Sequence, residues 1–299
     1  MTDPQVGQLL ALASAVCFAM SNTFIGRTSQ SGGDKGVVFS VMVTVVMSLA
    51  LWLVFEGLPS RDSISVPGLW AFALAGICAM VFGRSLLYES VRRLGVSRAS
   101  AVKRLNPFFS VLLAALILGE AINGRDTLGM VAIAAAFGLL IAERGVGKGA
   151  KGAADISAKA YLFGVFAALA YALAYILRKI GLDLMPSAAL GTLVSAVTGL
   201  AVFGMRAVVS PVARGHLLGV LGFLDRWVVL AAILMSAGQI LLFAALAKEA
   251  VSTVVMIASL EVFLSIFLSV VVFRTEARPG AYVIIAALLA TIGVILVAS

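Results

Sequence analysis

Apolar residues fall in long runs separated by short clusters of glycine, proline and charge. Ten runs occupy 6–25, 37–55, 68–91, 96–118, 127–142, 159–180, 187–208, 227–247, 251–273 and 279–298. The breaks read SQSGGDKG at 29–36, EGLPSRDS at 56–63, NGRD at 123–126 and RTEARPG at 274–280. About twenty apolar residues carry an α-helix across the hydrocarbon core of a bilayer. Membrane strands are shorter and alternate, and these runs do neither. The pattern predicts an all-α polytopic membrane protein with ten transmembrane helices.

The chain also repeats itself. Shifted by 155 residues, Leu86-Leu87 falls on Leu241-Leu242, Val96-Ser97 on Val251-Ser252, Ser110 on Ser265 and Gly138 on Gly293. The same shift sets Asn106 on Glu261, Arg84 on Gln239 and Tyr88 on Phe243. At a shift of 153, Phe18 meets Tyr171 and Asn22 meets Tyr175. Between the halves runs ERGVGKGAKGAADISAK, Glu143 to Lys159, with the composition of a linker. The expected division is a first five-helix repeat over 1–143, a linker over 144–158 and a second repeat over 159–299. An odd number of spans per half makes the second repeat insert upside down, so the repeats are inverted.

Composition agrees. The 299 residues are 62% hydrophobic and 12% charged, with a mean hydropathy of +1.12. A soluble domain carries about 25% charge. The net charge of +8 would suggest nucleic acid in a soluble protein. Here the basic residues occupy short loops, as topology determinants do, and no basic-aromatic stripe accompanies them. Sixteen of the 22 lie in the loops after odd-numbered spans or in the parts of the spans that adjoin them, which predicts a cytoplasmic position for those loops and external termini. Trp52, Trp70 and Trp227 sit at span ends, where interfacial anchors are found. The beginning, MTDPQVGQ, has no basic n-region, and a cleaved signal peptide is not expected.

Cys17 and Cys78 fall in separate spans and read as small packing residues. With them, a single histidine, His216, gives no metal-binding set, so neither a metal nor a cofactor is expected. No phosphate-binding loop and no hydrolase motif occurs, so no catalytic residue is assigned. A lipid-active enzyme or scramblase would need a polar cluster that the chain lacks. A passive channel would need a polar path through spans that are too apolar.

Polar residues inside the spans are the candidates for function. Glu261 is the one acid near the centre of a run, where a charge costs at least about 2.5 kcal/mol. It reads as a proton- or amine-binding carboxylate, or as a structural acid paired with a base. Arg84 suits a bidentate carboxylate contact, or it snorkels to the interface. Gln239, its repeat mate, is polar too. Asn22 and Asn106 suit substrate hydrogen bonds or helix bridging. Phe18, Tyr88, Tyr171, Tyr175 and Phe243 form an aromatic set at related positions, read as a pocket lining or as packing. Pro107 should kink its span. Glu120 and Glu276, at span ends, read as solvated or capping.

In the fourth span, Asn106-Pro107 followed by Leu118-Gly119-Glu120 looks like a Glu-Pro…Leu-Gly-Glu pattern with Asn in place of the first Glu. The ninth span keeps the acid as Glu261, with Val262 where proline is expected, and Glu276 follows Arg274-Thr275. With the five-plus-five arrangement, this resembles the drug/metabolite transporter superfamily in its ten-span form with paired EamA-type domains. The resemblance implies a cavity between the repeats, lined by the first, third, fourth, sixth, eighth and ninth spans, and alternating access. It points to exporters of amino acids, aromatic ones included, and related metabolites in the bacterial inner membrane; drugs, sugars and nucleosides are the alternative cargo. On this reading Arg84 holds a carboxylate, and Glu261, Gln239 and Asn22 meet amine or amide groups. The expected partners are a small-molecule substrate and the lipid bilayer, with no nucleic acid, and the chain is expected to be a monomer.

Overall fold

The structure, a computed structural model, describes residues 2–25, 34–56, 64–94, 102, 105–146, 158–219, 225–273 and 281–298. The described residues are helical, without strands. The helices are α1 (Asp3–Ile25), α2 (Asp34–Leu51), α3 (Val66–Ile77), α4 (Arg84–Leu94), α5 (Asn106–Leu113), α6 (Gly124–Val146), α7 (Ala158–Leu184), α8 (Ala188–Val209), α9 (Pro211–Leu218), α10 (Arg226–Lys248), α11 (Val251–Ala258), α12 (Glu261–Phe267) and α13 (Ala281–Ala298). Among the described residues six stretches are long and apolar enough to cross a membrane, and three shorter apolar helices, Asn106–Leu118, Val251–Ser265 and Ile284–Leu296, accompany them; α6 (Gly124–Val146) stands where the fifth span is expected. The third span is α3 and α4 joined by a π-helical stretch, Cys78–Gly83. Further π stretches follow α2 (Trp52–Glu56), α5 (Ala114–Leu118) and α12 (Leu268–Val272).

The helices gather into two compact units that each draw on both halves of the sequence. Unit 1 comprises Met1–Ile77 and Leu177–Glu249; unit 2 comprises Cys78–Ile176 and Ala250–Ser299.

In unit 1, α1 packs along α10, and α2 and α3 pack on α8. Small residues allow the close approach, as membrane helix pairs require. A Cβ on Gly238 would lie 2.8 Å from the Phe18 ring, and one on Gly181 only 2.4 Å from the Phe72 ring. Buried hydroxyls then bond to backbone across the contacts. Ser14 donates to the Gly238 carbonyl at 2.8 Å, Ser21 to Ala231 at 2.8 Å, and Ser195 to Phe72 at 2.8 Å. The Thr44 and Ser236 hydroxyls meet at 2.8 Å. At one end, Lys248 pairs with Asp3 at 2.7 Å and Gln8 donates to Glu249 at 3.2 Å. Lys179 donates to the Leu246 carbonyl at 3.0 Å, satisfying an acceptor that the end of α10 leaves open.

In unit 2, α6 packs along α13, and α11 packs on both α5 and α13. A Cβ on Gly293 would meet the Gly129 carbonyl at 2.8 Å, so α13 and α6 touch backbone to backbone. The Leu118-Gly119-Glu120 sequence has a structural role. Gly119 ends its helix with φ +69°, a left-handed conformation that glycine adopts without cost. The turn delivers Glu120 to the start of α11. Its carboxylate accepts from the Val251 amide (2.7 Å), the Ser252 amide (3.0 Å) and the Ser252 hydroxyl (2.7 Å). Glu120 is therefore a cap, one of the two roles its position at a span end suggests.

Replacing Glu120 with Ala should destabilise the protein by about 1–2 kcal/mol, the typical worth of a helix cap. Glu120→Gln, which keeps the acceptor oxygen, should lose less. Thermal unfolding in detergent followed by tryptophan fluorescence reads the difference; an unchanged midpoint for Glu120→Ala would mean that the cap contributes nothing.

Candidate functional site

Lipid offers no hydrogen bonds, so a membrane helix departs from the regular ladder only where the freed groups find other partners. Among the described residues the ninth span departs from it, and the first described turn of the fourth span carries a matching bond. In the ninth span, the Leu260 amide bonds to Ile257, three residues back, at 3.1 Å. In the fourth, the Leu105 amide bonds to Val102, also three back, at 3.0 Å. Leu105 (φ −70°, ψ −13°) and Leu260 (φ −62°, ψ −20°) share one tightened conformation. The regular ladder then resumes, with Phe109 bonded to Leu105 at 3.1 Å and Leu264 to Leu260 at 3.0 Å. The residue after each tight turn is polar: Asn106 opens α5 and Glu261 opens α12. The shift of 155 that relates the sequences thus relates these backbone bonds as well. Pro107 sits at the start of α5, where its missing amide hydrogen costs nothing.

Asn106 is half-buried, and its Nδ2 donates to the Ala168 carbonyl of α7 at 3.1 Å. Glu261 is half-buried. One turn beyond each lies a serine, Ser110 and Ser265, whose buried hydroxyl has no hydrogen-bond partner among the described residues. Ser90 on α4 has the same property, and a Cβ on Gly164 of α7 would lie 2.9 Å from its oxygen. Most helical serines bond back to a carbonyl one turn earlier, as Ser48 does to Thr44 at 2.6 Å. Unit 2 therefore holds three buried hydroxyls with hydrogen-bonding capacity to spare.

The other sequence candidates divide between the units. Tyr171 and Tyr175 are half-buried on the part of α7 that belongs to unit 2. The Tyr171 ring covers Gly83, where a Cβ would come within 3.0 Å of it, directly before Arg84. Arg84 and Tyr88 lie on α4; their side chains fall outside the described residues. In unit 1, Phe18 is buried on Gly238, Gln239 is half-buried beside that glycine, and Asn22 is exposed. Phe243 is fully buried, 6.0 Å between centroids from Phe72, with both rings against Gly191. The structure thus brings Asn106 and Tyr171 to one stretch of α7 and sets Phe18 beside Gln239. Phe18 and Phe243 fill space between helices.

One residue was missed. In the count of basic residues from the sequence, Arg178 and Lys179, at the end of the span 159–180, go with the loop that follows it. Instead α7 continues to Leu184, and Arg178 is buried, 6% exposed, with its guanidinium 4.9 Å from the Phe243 ring centroid. That is cation–π distance. The signal was available: Tyr171, Tyr175 and Arg178 follow one another at helical spacing along one face. Arg84 is therefore not alone as a base well inside a span. Among the described residues no group of His, Cys, Asp or Glu is arranged to hold a metal ion.

The model of the EamA-like transporter family matches residues 5–142 and again 158–299. Among solved structures, one titled only "Crystal structure of protein" aligns over 97% of this chain and 96% of its own, with a TM-score of 0.72 and 16% sequence identity. At that identity the likeness speaks for the fold alone. Among curated proteins nothing matches.

Replacing Asn106 with Ala removes the bond to Ala168 and should cost about 1 kcal/mol. Asn106→Asp, which keeps the size but lacks the amide donor, should lose at least as much. Both are read as thermal midpoints in detergent; a midpoint unchanged in Asn106→Ala would show that the bond adds no stability.

Proposed function

The chain belongs to the EamA-like transporter family, a family of membrane transporters of small solutes, and we propose that this member exports amino acids, aromatic ones included, and related metabolites by alternating access. The observation that carries the reading is the pair of tightened turns at Leu105 and Leu260, each followed by a polar side chain. Discontinuous helices of this kind form the substrate and ion sites of transporters built from repeats. The spare hydroxyls of Ser90, Ser110 and Ser265 support a polar cargo, because buried donors and acceptors left open are costly unless a ligand or water meets them.

An amino acid asks for a counter-charge to each of its two ends. Glu261 suits the ammonium. Arg84 suits the carboxylate, as a guanidinium does through paired hydrogen bonds. Asn22, Gln239 and Asn106 supply amide contacts. Tyr88, Tyr171 and Tyr175, with Phe18 and Phe243 behind, favour a flat or apolar side chain. Protons bound at Glu261 would couple transport to a gradient. The protein acts as a monomer in a bacterial inner membrane. The excess of basic residues in the loops after odd-numbered spans supports external termini.

Counterflow in proteoliposomes loaded with a panel of labelled solutes tests this. Saturable accumulation of amino acids is expected, lowered about tenfold or more by Glu261→Gln and by Arg84→Gln, the loss of one charge-assisted contact of about 1.5–3 kcal/mol. Transport without pH dependence, unchanged in Glu261→Gln, would remove the proton role. Accumulation of sugars or nucleosides with no amino acid would replace the cargo.

A further inference from the structure

A second site lies in unit 1, away from every residue discussed so far. There α8 ends, the chain turns at Ser210, and α9 begins with Pro211 at its first position. Ser210 caps α9 by accepting from the Ala213 amide at 3.4 Å. Arg214 folds back on α8 and donates from Nε to the Ala207 carbonyl at 3.2 Å and from Nη2 to the Val208 carbonyl at 3.1 Å. Its charge thus answers the negative end of the α8 dipole. Arg206, one turn earlier, is exposed and has no hydrogen bond or ion pair from its side chain among the described residues.

Between these helices and the start of α2 lies a cavity of about 120 Å³. Val38, Phe203, Val212 and Leu217 give it apolar walls, and Arg206 and Ser210 supply its polar groups; among the described residues no acid lines it. Beside it the surface is apolar and open: Val208 is 74%, Val209 86%, Val212 68% and Leu218 77% exposed. An uncommitted guanidinium next to bare valines at the end of a membrane span matches one chemistry, an anionic head group joined to an apolar tail. The volume argues the same way. Drug-sized solutes need about 300 Å³ or more, so the cavity suits a phosphate with part of its glycerol, while the acyl chains stay outside on the valines.

We infer that the α8–α9 corner binds one anionic phospholipid, its phosphate on Arg206 and Ser210 and its chains along Val208, Val209 and Val212. The site is independent of the solute carried. Arg214 holds the corner closed, and Arg206 selects the charge. One basic residue at a membrane surface is worth about 1 kcal/mol, which corresponds to a roughly fivefold preference for an anionic lipid.

Native mass spectrometry of the purified full chain tests the inference, titrating phosphatidylglycerol, phosphatidylcholine and inorganic phosphate separately. Wild type should retain phosphatidylglycerol about fivefold better than phosphatidylcholine. Arg206→Gln should abolish the preference and Arg206→Lys should keep part of it, with phosphatidylcholine binding and thermal midpoints near wild type in both; Val212→Asp, which puts a charge in the path of the chains, should weaken binding of both lipids. An equal affinity of wild type for both lipids, or a full preference retained in Arg206→Gln, would overturn the site. Stoichiometric phosphate binding that displaces phosphatidylglycerol and vanishes in Arg206→Gln would make it a free-anion site and overturn the lipid assignment.

Discussion

A polypeptide in hydrocarbon has to satisfy its own backbone, and the rest of this structure follows from that demand. Regular helices meet it cheaply. A three-residue bond gives up part of that regularity, and this chain makes one at the same place in both halves. The Leu105–Val102 and Leu260–Ile257 bonds are related by the 155-residue shift, and so are Asn106 and Glu261 beside them. Each helix then regains its ladder and loosens into a π stretch, Ala114–Leu118 or Leu268–Val272. Tight turn, short α-helix and wide turn succeed one another in both copies. Irregularity preserved across a duplication, with polar side chains at the same point, is what a solute site in the membrane requires.

Within each unit the packing sets small residues against rings. Phe18 rests on Gly238, Phe72 on Gly181 and Gly191, and Tyr171 on Gly83. Each pairing brings a helix closer than a larger side chain allows, and serine hydroxyls then reach carbonyls on the neighbouring helix. Helix ends are closed by charged side chains: Glu120 at α11, Lys179 at α10 and Arg214 at α8. Such groups hold the bundle's ends while the interior keeps its unpaired hydroxyls.

Much of this was legible in the sequence. The spans follow from run length, and the repeat follows from matched pairs such as Ser110 with Ser265. Asn106 and Glu261 stood out because polar groups in apolar runs are costly. Three things were not legible. Arg178 looked like a loop residue because charge marks a span's end by default; only its burial against Phe243 reveals otherwise. Phe18 and Phe243 looked like pocket aromatics, yet which ring meets a glycine on another helix is a tertiary fact. The π stretches carry no local sequence signal, since Ala-Ala-Leu-Ile-Leu and Leu-Ser-Val-Val-Val are ordinary membrane sequence. The family assignment rested on loose motifs in the sequence, and the match over both repeats settles it.

The most direct test of the central claim asks whether cargo reaches both tightened turns. Ser110→Cys and Ser265→Cys, each made in a background with Cys17 and Cys78 replaced by Ala, can be labelled with a small thiol reagent in membranes. The account predicts that an amino acid active in counterflow slows labelling at both positions, and that an inactive solute slows neither. Equal labelling rates with and without the transported amino acid, at both cysteines, would contradict it.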